Sequence, residues 1–335
     1  MGKGDFKKLF KQLSEIKAGV IGDVMLDTYW WGDVERISPE APVPVVSLKK
    51  QEYRMGGAAN VALNVKAMGS RVAIFSIIGS DKDGETLEEL FRQQQISTEY
   101  LLKSNKRITT SKTRIISRNQ HMLRLDAEVE KDLDPADENR LIDAVTRYIE
   151  NEHPQVMIFE DYNKGVLTRK VIHNIIKLCR EKGVATTVDP KRRNFFEFEG
   201  VSVFKPNLKE VKEALRVLDE NLDQRALENI HSQLQNKLHH QVSFITLSEK
   251  GVFYQDNNGG AIMPAHVRNI ADVSGAGDTV IAVASLVYAA TKNTRLMAEV
   301  ANLAGGIVCE EVGTVAINKE KLLKECEELV PVESI

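Results

Sequence analysis

The sequence predicts an α/β protein whose mostly parallel β-sheet is covered by helices on both faces. Short apolar runs rich in β-branched residues alternate with stretches of helical spacing along most of the 335 residues. Because parallel strands need a crossover connection between them, this alternation is typical of a parallel sheet. Two stretches without a crossover helix break the alternation, and they predict a second, smaller β-sheet.

The predicted elements follow one another in a regular order. Strands are predicted at residues 17–22, 71–78, 155–159, 185–188, 201–204 and 242–247. Helices are predicted at residues 58–68, 86–95, 169–181, 208–217 and 224–237, and a further apolar helix follows residue 277. No repeat, low-complexity segment or flexible linker interrupts the chain, so we expect a single domain over residues 1–335.

The two stretches that break the alternation are residues 28–48 and 110–126. The first contains Trp30, Trp31 and three prolines, and the second has strand-like runs on both sides of a turn at residues 118–120. We predict that both segments are inserted in the domain and form a small β lid above the main sheet. The alternative is that they are ordinary surface loops.

Composition and charge exclude several classes of protein. The formal net charge of -3 gives no global attraction to nucleic acid or to an anionic membrane. Three cysteines without a Cys-x-x-Cys pair argue against a disulfide framework or a structural zinc site. No apolar run is long enough to span a membrane, and the basic, amphipathic start at Met1 lacks the apolar core of a signal peptide. We therefore expect a cytoplasmic protein.

The most informative segment for chemistry is residues 272–279. Gly275, Ala276 and Gly277 form a tight turn of small residues directly before the apolar helix, where backbone N–H groups and the helix dipole favour a bound anion. Asp278 then lies in the first helical turn, where it can take a proton from a hydroxyl that attacks a phosphoryl group. The alternative is that Asp278 is simply a favourable acid at a helix N-terminus.

Other nucleotide-binding signatures are missing from the sequence. The dinucleotide pattern of three glycines fails because Val280 occupies its third glycine position. The sequence has no P-loop motif, and it has neither of the protein-kinase motifs His-Arg-Asp and Asp-Phe-Gly.

Polar and glycine residues near the N-terminus predict a second part of the site. Asp23 follows the first strand, at the sheet edge where ligands gather, and can accept hydrogen bonds from hydroxyl groups. Gly56 and Gly57 open a helix and permit a close approach of the backbone to a ligand, and Asn60 lies one turn further on. The alternatives are that Asp23 caps a turn and that the glycines only form one.

Two further segments follow strands in the C-terminal half. Asn207 and Glu210 have the spacing of a capping box at a helix start, and as hard oxygen ligands they can also serve a magnesium–nucleotide complex. A glycine turn then follows a buried strand and is compatible with a nucleotide-binding edge; its candidate residues are Thr246, Ser248 and Gly251.

Taken in this order, the segments resemble the ribokinase-like (pfkB) family of carbohydrate kinases. The resemblance rests on Gly56-Gly57-x-x-Asn60, Asn207-x-x-Glu210 and Gly275-Ala276-Gly277-Asp278, and it extends over residues 17–329. Val273 replaces the threonine that is usual in the last motif. Residues 22–27 and 31–45 are similar to the subfamily of D-glycero-β-D-manno-heptose 7-phosphate kinases. Residues 160–165 also resemble that subfamily, except that Glu160 and Asn163 depart from its usual serine and glycine.

The resemblance implies a reaction and the residues that perform it. ATP would phosphorylate the anomeric 1-hydroxyl of the heptose 7-phosphate, with Asp278 as base and the turn 275–277 as the anion hole. The residues implied at ATP and Mg²⁺ are Asn207, Glu210 (through water), Thr246, Ser248, Gly251, Asp272, Ser274 and Asn302. The residues implied at the sugar are Asp23, Gly56, Gly57, Asn60 and Asp161. The basic residues considered for the substrate phosphate, each of which can instead be a solvated surface charge, are Arg124, Lys164, Lys191 and Arg193.

The resemblance also implies an assembly and leaves two other functions open. We expect a homodimer formed through the β lid, in which Trp30 and Trp31 lie in the core or the interface in preference to the sugar site. Many members of the subfamily carry a second, nucleotidyltransferase domain, and because the sequence up to Ile335 lacks its His-x-Gly-His motif we expect a free-standing kinase. The alternatives are a kinase for another sugar and a non-catalytic regulator, which lacks substrate-dependent ADP release.

Overall fold

Helices cover both faces of a nine-stranded, mostly parallel sheet in the computed structural model of the chain, which describes residues 3–118, 120–218 and 223–330. In spatial order the strands are β13 (Gly259–Met263), β12 (Val252–Asp256), β11 (Val242–Thr246), β10 (Val203–Phe204), β9 (Ala185–Asp189), β8 (Val156–Glu160), β1 (Lys17–Gly22), β4 (Arg71–Gly79) and β5 (Leu101–Ser104). The pairings of β11 with β12 and of β12 with β13, at one edge of this sheet, are antiparallel.

Two hydrophobic clusters, one on each face of the sheet, hold the helices in place. Within β8, Val156 and Ile158 belong to one cluster and Met157 and Phe159 to the other, so the strand is apolar throughout because both of its faces are buried. The helices are α1 (Lys3–Glu15), α2 (Ala58–Ala67), α3 (Lys82–Gln93), α4 (Pro135–Glu152), α5 (Arg169–Glu181), α6 (Leu208–Leu215), α7 (Gln224–Leu238), α8 (Ala276–Thr291), α9 (Thr294–Val308) and α10 (Lys319–Leu329).

A separate four-stranded sheet forms the lid. Its order is β3 (Pro44–Gly57), β2 (Val24–Ile37), β6 (Ser111–Ser117) and β7 (Gln120–Ala127). The strands β2 and β3 pair from Val24 opposite Gly57 to Ile37 opposite Pro44, so the hairpin begins directly beyond β1 and ends where α2 begins. The predicted fold class, a mostly parallel sheet with helices on both faces and a small β lid, is confirmed.

Several element boundaries differ from those predicted. The helix predicted at residues 86–95 begins at Lys82, because the side chain of Asp81 accepts a hydrogen bond from the N–H of Gly84 and caps the helix there. The sequence patterns did not predict α4, α9, α10 or the hairpin of β12 and β13. Met1, Asn119 of the predicted lid turn and Ile335 lie outside the described residues. Among the described helices, none is both long enough and apolar enough to cross a membrane.

Candidate active site

The turn at the start of α8 can form only because position 275 is glycine. Gly275 has φ 77°, in the left-handed region, and a Cβ atom there would lie 2.7 Å from Nδ2 of Asn60. Gly277 lies above the main sheet, since a Cβ atom on it would come within 3.6 Å of Oδ2 of Asp189 and 3.8 Å of Nζ of Lys205. The predicted anion-binding turn therefore has a lysine ammonium group beneath it.

Asp278, the third residue of α8, is buried, and its carboxylate accepts hydrogen bonds from two donors. The amide Nδ2 of Asn60 donates to its Oδ2 over 2.8 Å, and the hydroxyl of Tyr162 donates to its Oδ1 over 2.8 Å. Burial raises the pKa of Asp278 to about 6, although both hydrogen bonds lower it. At neutral pH the carboxylate is thus mostly ionised, oriented and close to the pKa that suits a general base.

Three ionisable side chains lie side by side across the sheet beneath this turn. The strand register places Glu160 beside Asp189, and Lys205 follows at the end of the next strand. Nζ of Lys205 lies 2.6 Å from Oδ2 of Asp189, and Nζ of Lys191 lies 2.8 Å from its Oδ1. Burial alone would raise the pKa of Asp189, but the two ammonium groups outweigh it and the pKa falls.

Glu160 differs from its neighbours because neither carboxylate oxygen has a hydrogen-bond partner in the described part of the chain. The side chain is fully buried. Burial, followed by the nearby carboxylates of Asp189 and Asp278, raises the pKa of Glu160 well above its ordinary value. Glu160 lies at the position where the similar subfamily usually has serine, and its surroundings favour the protonated form of its carboxyl group.

Asn207 and Glu210 form the capping box that their spacing indicates. Oδ1 of Asn207 accepts from the N–H of Glu210 at 2.9 Å, and Oε2 of Glu210 accepts from the N–H of Asn207 at 2.7 Å. The other oxygen of Glu210 pairs with Lys191 at 2.8 Å. Asn207 also forms a β-bridge to Thr246, which places the turn with Ser248 and Gly251 beside it.

Asp23 anchors a loop in this structure. Its carboxylate accepts three backbone N–H hydrogen bonds of 2.8–3.1 Å from Tyr162, Lys164 and Val166, and burial nevertheless raises its pKa. The same loop contains Tyr162, whose hydroxyl donates to Asp278. It therefore connects Asp23, near the N-terminus, with Asp278 in the C-terminal part of the sequence. Asp161 begins this loop, and burial together with the charge of Asp23 raises the pKa of Asp161 to about 7.

The glycine pair at 56 and 57 lies against Asp23 and Asp27. Gly57 has φ 57°, and a Cβ atom there would lie 2.5 Å from the carbonyl oxygen of Asp23. A Cβ atom on Gly56 would lie 2.4 Å from Oδ2 of Asp27, a buried residue that the sequence patterns had not indicated. Asp27 pairs with Arg114 of the lid at 2.6 Å. These contacts bring Asp23, Gly56, Gly57 and Asn60 together beside Asp278.

The four basic residues considered for a substrate phosphate all have carboxylate partners. Lys191 pairs within the site, while Arg124 on the outer lid strand pairs with Asp126 at 2.9 Å. The other two pairs are Lys164 with Glu128 at 2.8 Å and Arg193 with Asp132 at 2.8 Å. Asn302 lies on α9 and donates to the carbonyl of Pro264 at 2.9 Å.

The sequence patterns missed Tyr162, Asp189, Lys205 and Glu160 as site residues. Glu160 and Asp189 are the last residues of buried parallel strands, and Lys205 directly follows one. Polar side chains at the carboxyl ends of parallel strands are where ligands gather, so this placement could have indicated them.

Comparison with known proteins assigns the family. A model of the pfkB family of carbohydrate kinases matches residues 16–321. The chain belongs to this family. The predicted enzyme class, a sugar kinase, and the predicted family are thereby confirmed.

Among curated relatives, the pfkB chain is 38% identical over 312 residues to the bifunctional protein HldE of Desulfatibacillum aliphaticivorans, covering 92% of this chain and 63% of that protein. It is 40% identical over 306 residues to the bifunctional protein HldE of Methylobacillus flagellatus, covering 91% and 62%. The chain therefore spans less than two thirds of the length of these relatives.

Solved structures share the fold of this pfkB chain. Phosphofructokinase-2 from Escherichia coli, in complex with potassium, superposes with a TM-score of 0.75 at 15% identity, covering 92% of this chain and 97% of that one. Arabidopsis thaliana ribokinase, complexed with ribose and ATP, gives a TM-score of 0.72 at 15% identity, covering 92% and 99%. At these identities the likeness concerns the fold alone, and the ribokinase-like architecture is confirmed.

Proposed function

We propose that the chain transfers the γ-phosphoryl group of ATP to the anomeric 1-hydroxyl of D-glycero-β-D-manno-heptose 7-phosphate and forms the 1,7-bisphosphate, in the synthesis of ADP-heptose for lipopolysaccharide. The observation that carries the proposed transfer is the buried Asp278, held by Asn60 and Tyr162 beside a glycine turn. The choice of sugar is supported by the resemblance of residues 31–45 to heptose 7-phosphate kinases and by the relatives named HldE.

Asp278 acts as the base in the proposed step. It takes the proton of the anomeric hydroxyl, whose oxygen forms a bond to the γ-phosphorus as the bond from that phosphorus to the bridging oxygen breaks. ADP leaves with the electron pair of the broken bond. Because the carboxylate is buried, little water competes for the proton or for the phosphoryl group.

The turn 275–277 and Lys205 bind the transferring phosphoryl group. Backbone N–H groups at a helix N-terminus favour bound negative charge, and the ammonium group of Lys205 beneath the turn balances it. Mg²⁺ would supply positive charge that neutralises the ATP phosphates when bound. Both oxygens of Glu210 are engaged, and the described residues contain no cluster of three or more His, Cys, Asp or Glu placed to hold a metal. This arrangement fits a magnesium ion held by the nucleotide and contacted by Asn207 and Glu210 through water.

Of the other predicted site residues, some line the proposed sugar site and some the proposed nucleotide site. Gly56, Gly57 and Asn60 line the sugar side together with the loop that Asp23 anchors, and Asp161 begins that loop. On the nucleotide side, Asp272 and Ser274 shape the anion turn, since Oδ1 of Asp272 accepts from both the N–H and the hydroxyl of Ser274. Lys164 is buried near the loop, and its pairing with Glu128 and Glu130 must loosen for it to contact the substrate phosphate.

We also propose that two chains associate through their lids in the cytoplasm. The lid exposes apolar side chains that a partner lid can cover, with Ile37 at 59% and Leu123 at 52% exposure. Trp30 and Trp31 are only partly exposed and belong to the same sheet. Light scattering of the purified chain should give the mass of a dimer, and a monomer at micromolar concentration would contradict this part of the proposal.

A panel of acceptor sugars tests the choice of substrate. In an assay coupled to ADP release, we expect kcat/KM for the heptose 7-phosphate to exceed those for fructose 6-phosphate and ribose by about 10²-fold or more, because a site built around one set of hydroxyls rejects others. The control is ADP release without any sugar. If fructose 6-phosphate or ribose reacts faster, the heptose assignment is wrong and the kinase assignment stands.

A further inference from the structure

An arginine of the lid reaches across to a loop beside the anion-binding turn. Arg54 lies in β3, and its Nη1 donates to the carbonyl oxygen of Val312 at 2.6 Å and to that of Thr314 at 3.3 Å. Its Nη2 pairs with Glu52 at 3.0 Å, which fixes the direction of the guanidinium group. About 258 residues of sequence separate the two ends of this contact. It joins the lid directly to residues 312–314.

The loop is shaped to receive this guanidinium group. Gly313 has φ 75°, and a Cβ atom there would lie 2.5 Å from Nη1 of Arg54 and 3.0 Å from the hydroxyl oxygen of Tyr29. Arg54 stacks over the ring of Tyr29, with its Cζ atom 4.9 Å from the ring centroid. Any larger residue at position 313 would displace the arginine.

The same loop is bonded to the turn that precedes α8. The N–H of Gly313 donates to Oδ2 of Asp272 at 2.9 Å, and Oδ1 of Asp272 holds Ser274. A Cβ atom on Gly275 would lie 3.1 Å from the methyl group of Thr314, so the loop also packs on the turn directly. A short series of contacts therefore runs from Arg54 through residues 312–314 to the anion-binding turn.

Arg54 is also connected, through the ring of Tyr29, to residues on the proposed sugar side of the site. Arg114 also lies over the ring of Tyr29, with its Cζ atom 5.2 Å from the centroid, so the ring is contacted by two arginines. Arg114 pairs with Asp27, which abuts Gly56 of the sugar segment. The ring of Tyr29 is thus contacted by two lid arginines, Arg114 on the proposed sugar side and Arg54 beside the loop that packs on the anion-binding turn.

We propose that Arg54 is a positioning residue, which holds residues 312–314 and through them the anion-binding turn in a geometry that depends on the lid. This inference rests on the proposed binding of the ATP phosphates at residues 275–277. In this proposal Arg54 acts through residues 312–314. Its removal leaves two carbonyl groups without their donor and loosens the turn that receives the transferring phosphoryl group.

An Arg54→Met variant tests the inference because methionine keeps much of the side-chain length and removes all donors. We expect KM for ATP to rise and kcat to fall, each by about 10-fold, since small displacements of a catalytic turn have large effects on rate. KM for the sugar phosphate should change less than twofold. Arg147→Met, which removes an exposed arginine on α4 outside the lid and the site, should behave as the wild type.

Chemical rescue separates positioning from a general loss of stability. Guanidinium chloride at low millimolar concentration should restore part of kcat in Arg54→Met, whereas tetramethylammonium chloride at equal concentration should not. An ATP affinity equal to that of the wild type, or a loss that guanidinium fails to relieve, would overturn the inference. Calorimetric ATP binding without any sugar gives a readout that stays valid if the heptose assignment fails, because it depends only on the nucleotide site.

Discussion

An Asp278→Asn variant is expected to lose at least about 10³-fold in kcat while it still binds ATP, because asparagine has no basic oxygen to take the hydroxyl proton. Asparagine fits the same space, and its amide can satisfy both Asn60 and the hydroxyl of Tyr162. Steady-state kinetics and calorimetric ATP binding measure the two effects separately. Turnover near that of the wild type would remove Asp278 from the role of base.

The stability of the same variant distinguishes the base from a simple helix-capping acid. Burial raises the pKa of Asp278 from its ordinary value of 3.8 to about 6, so the charged carboxylate destabilises the folded state once the pH exceeds this range. At pH 7 the substitution should therefore increase the free energy of unfolding, by up to about 3 kcal/mol. If Asp278 only interacted favourably with the helix dipole, its removal would instead lower the free energy of unfolding by about 0.3–1 kcal/mol.

The matched control is Asp83, an acid in the first turn of α3 outside the site. Asp83→Asn should leave kcat unchanged and should not stabilise the protein. In the wild type, kcat should fall about tenfold per pH unit below pH 6, because Asp278 becomes protonated there. A kcat that stays constant from pH 7 to pH 5 would contradict the assignment.

A Lys205→Met variant is expected to lose about 10²–10³-fold in kcat/KM, because the turn 275–277 would then lack the charge beneath it. The lysine is almost fully buried and lies 2.6 Å from Asp189. The substitution should also destabilise the fold, by less than the roughly 3–5 kcal/mol that breaking an isolated buried ion pair costs, because Lys191 still pairs with Asp189. Urea denaturation and the ADP-release assay measure the two losses.

A double variant separates these two consequences. Asp189→Asn combined with Lys205→Met removes the buried charge that the single variant leaves behind, so most of the stability should return. Activity should remain low, because the phosphate site still lacks its ammonium group. Lys209→Met, at an exposed lysine on α6, is the control for the loss of a positive charge. Activity that recovers with stability would assign Lys205 a structural role alone.

The main sheet could be predicted because its strands are short apolar runs that end at polar residues or glycines. Residues 17–22 and 169–181 have the predicted bounds, and both are delimited by local signals such as the Thr168 cap of α5. The lid extends beyond residues 28–48, because β2 and β3 continue their pairing down to Val24 and Gly57. That extension depends on cross-strand contacts that a local pattern does not show.

The clearest sequence signals of the candidate site are its glycine turns and the polar residues that follow them, such as Asp278 and Asn60. Gly275 and Gly57 stand out in sequence because the positive φ at each requires glycine. Lys205 and Glu160 become site residues only when three parallel strands place their carboxyl ends side by side. Arg54 could not be found in sequence, since its partners lie about 258 residues away and are backbone carbonyls.

Phosphorus-31 NMR of the product tests most directly whether this chain phosphorylates the anomeric position. Incubation of the wild-type chain with ATP, Mg²⁺ and D-glycero-β-D-manno-heptose 7-phosphate should give one new sugar phosphorus signal, coupled to the anomeric proton and formed in equal amount to ADP. Asp278→Asn should give none. A new phosphorus coupled to any other carbon-bound proton, or inorganic phosphate as the only product, would contradict the proposed reaction.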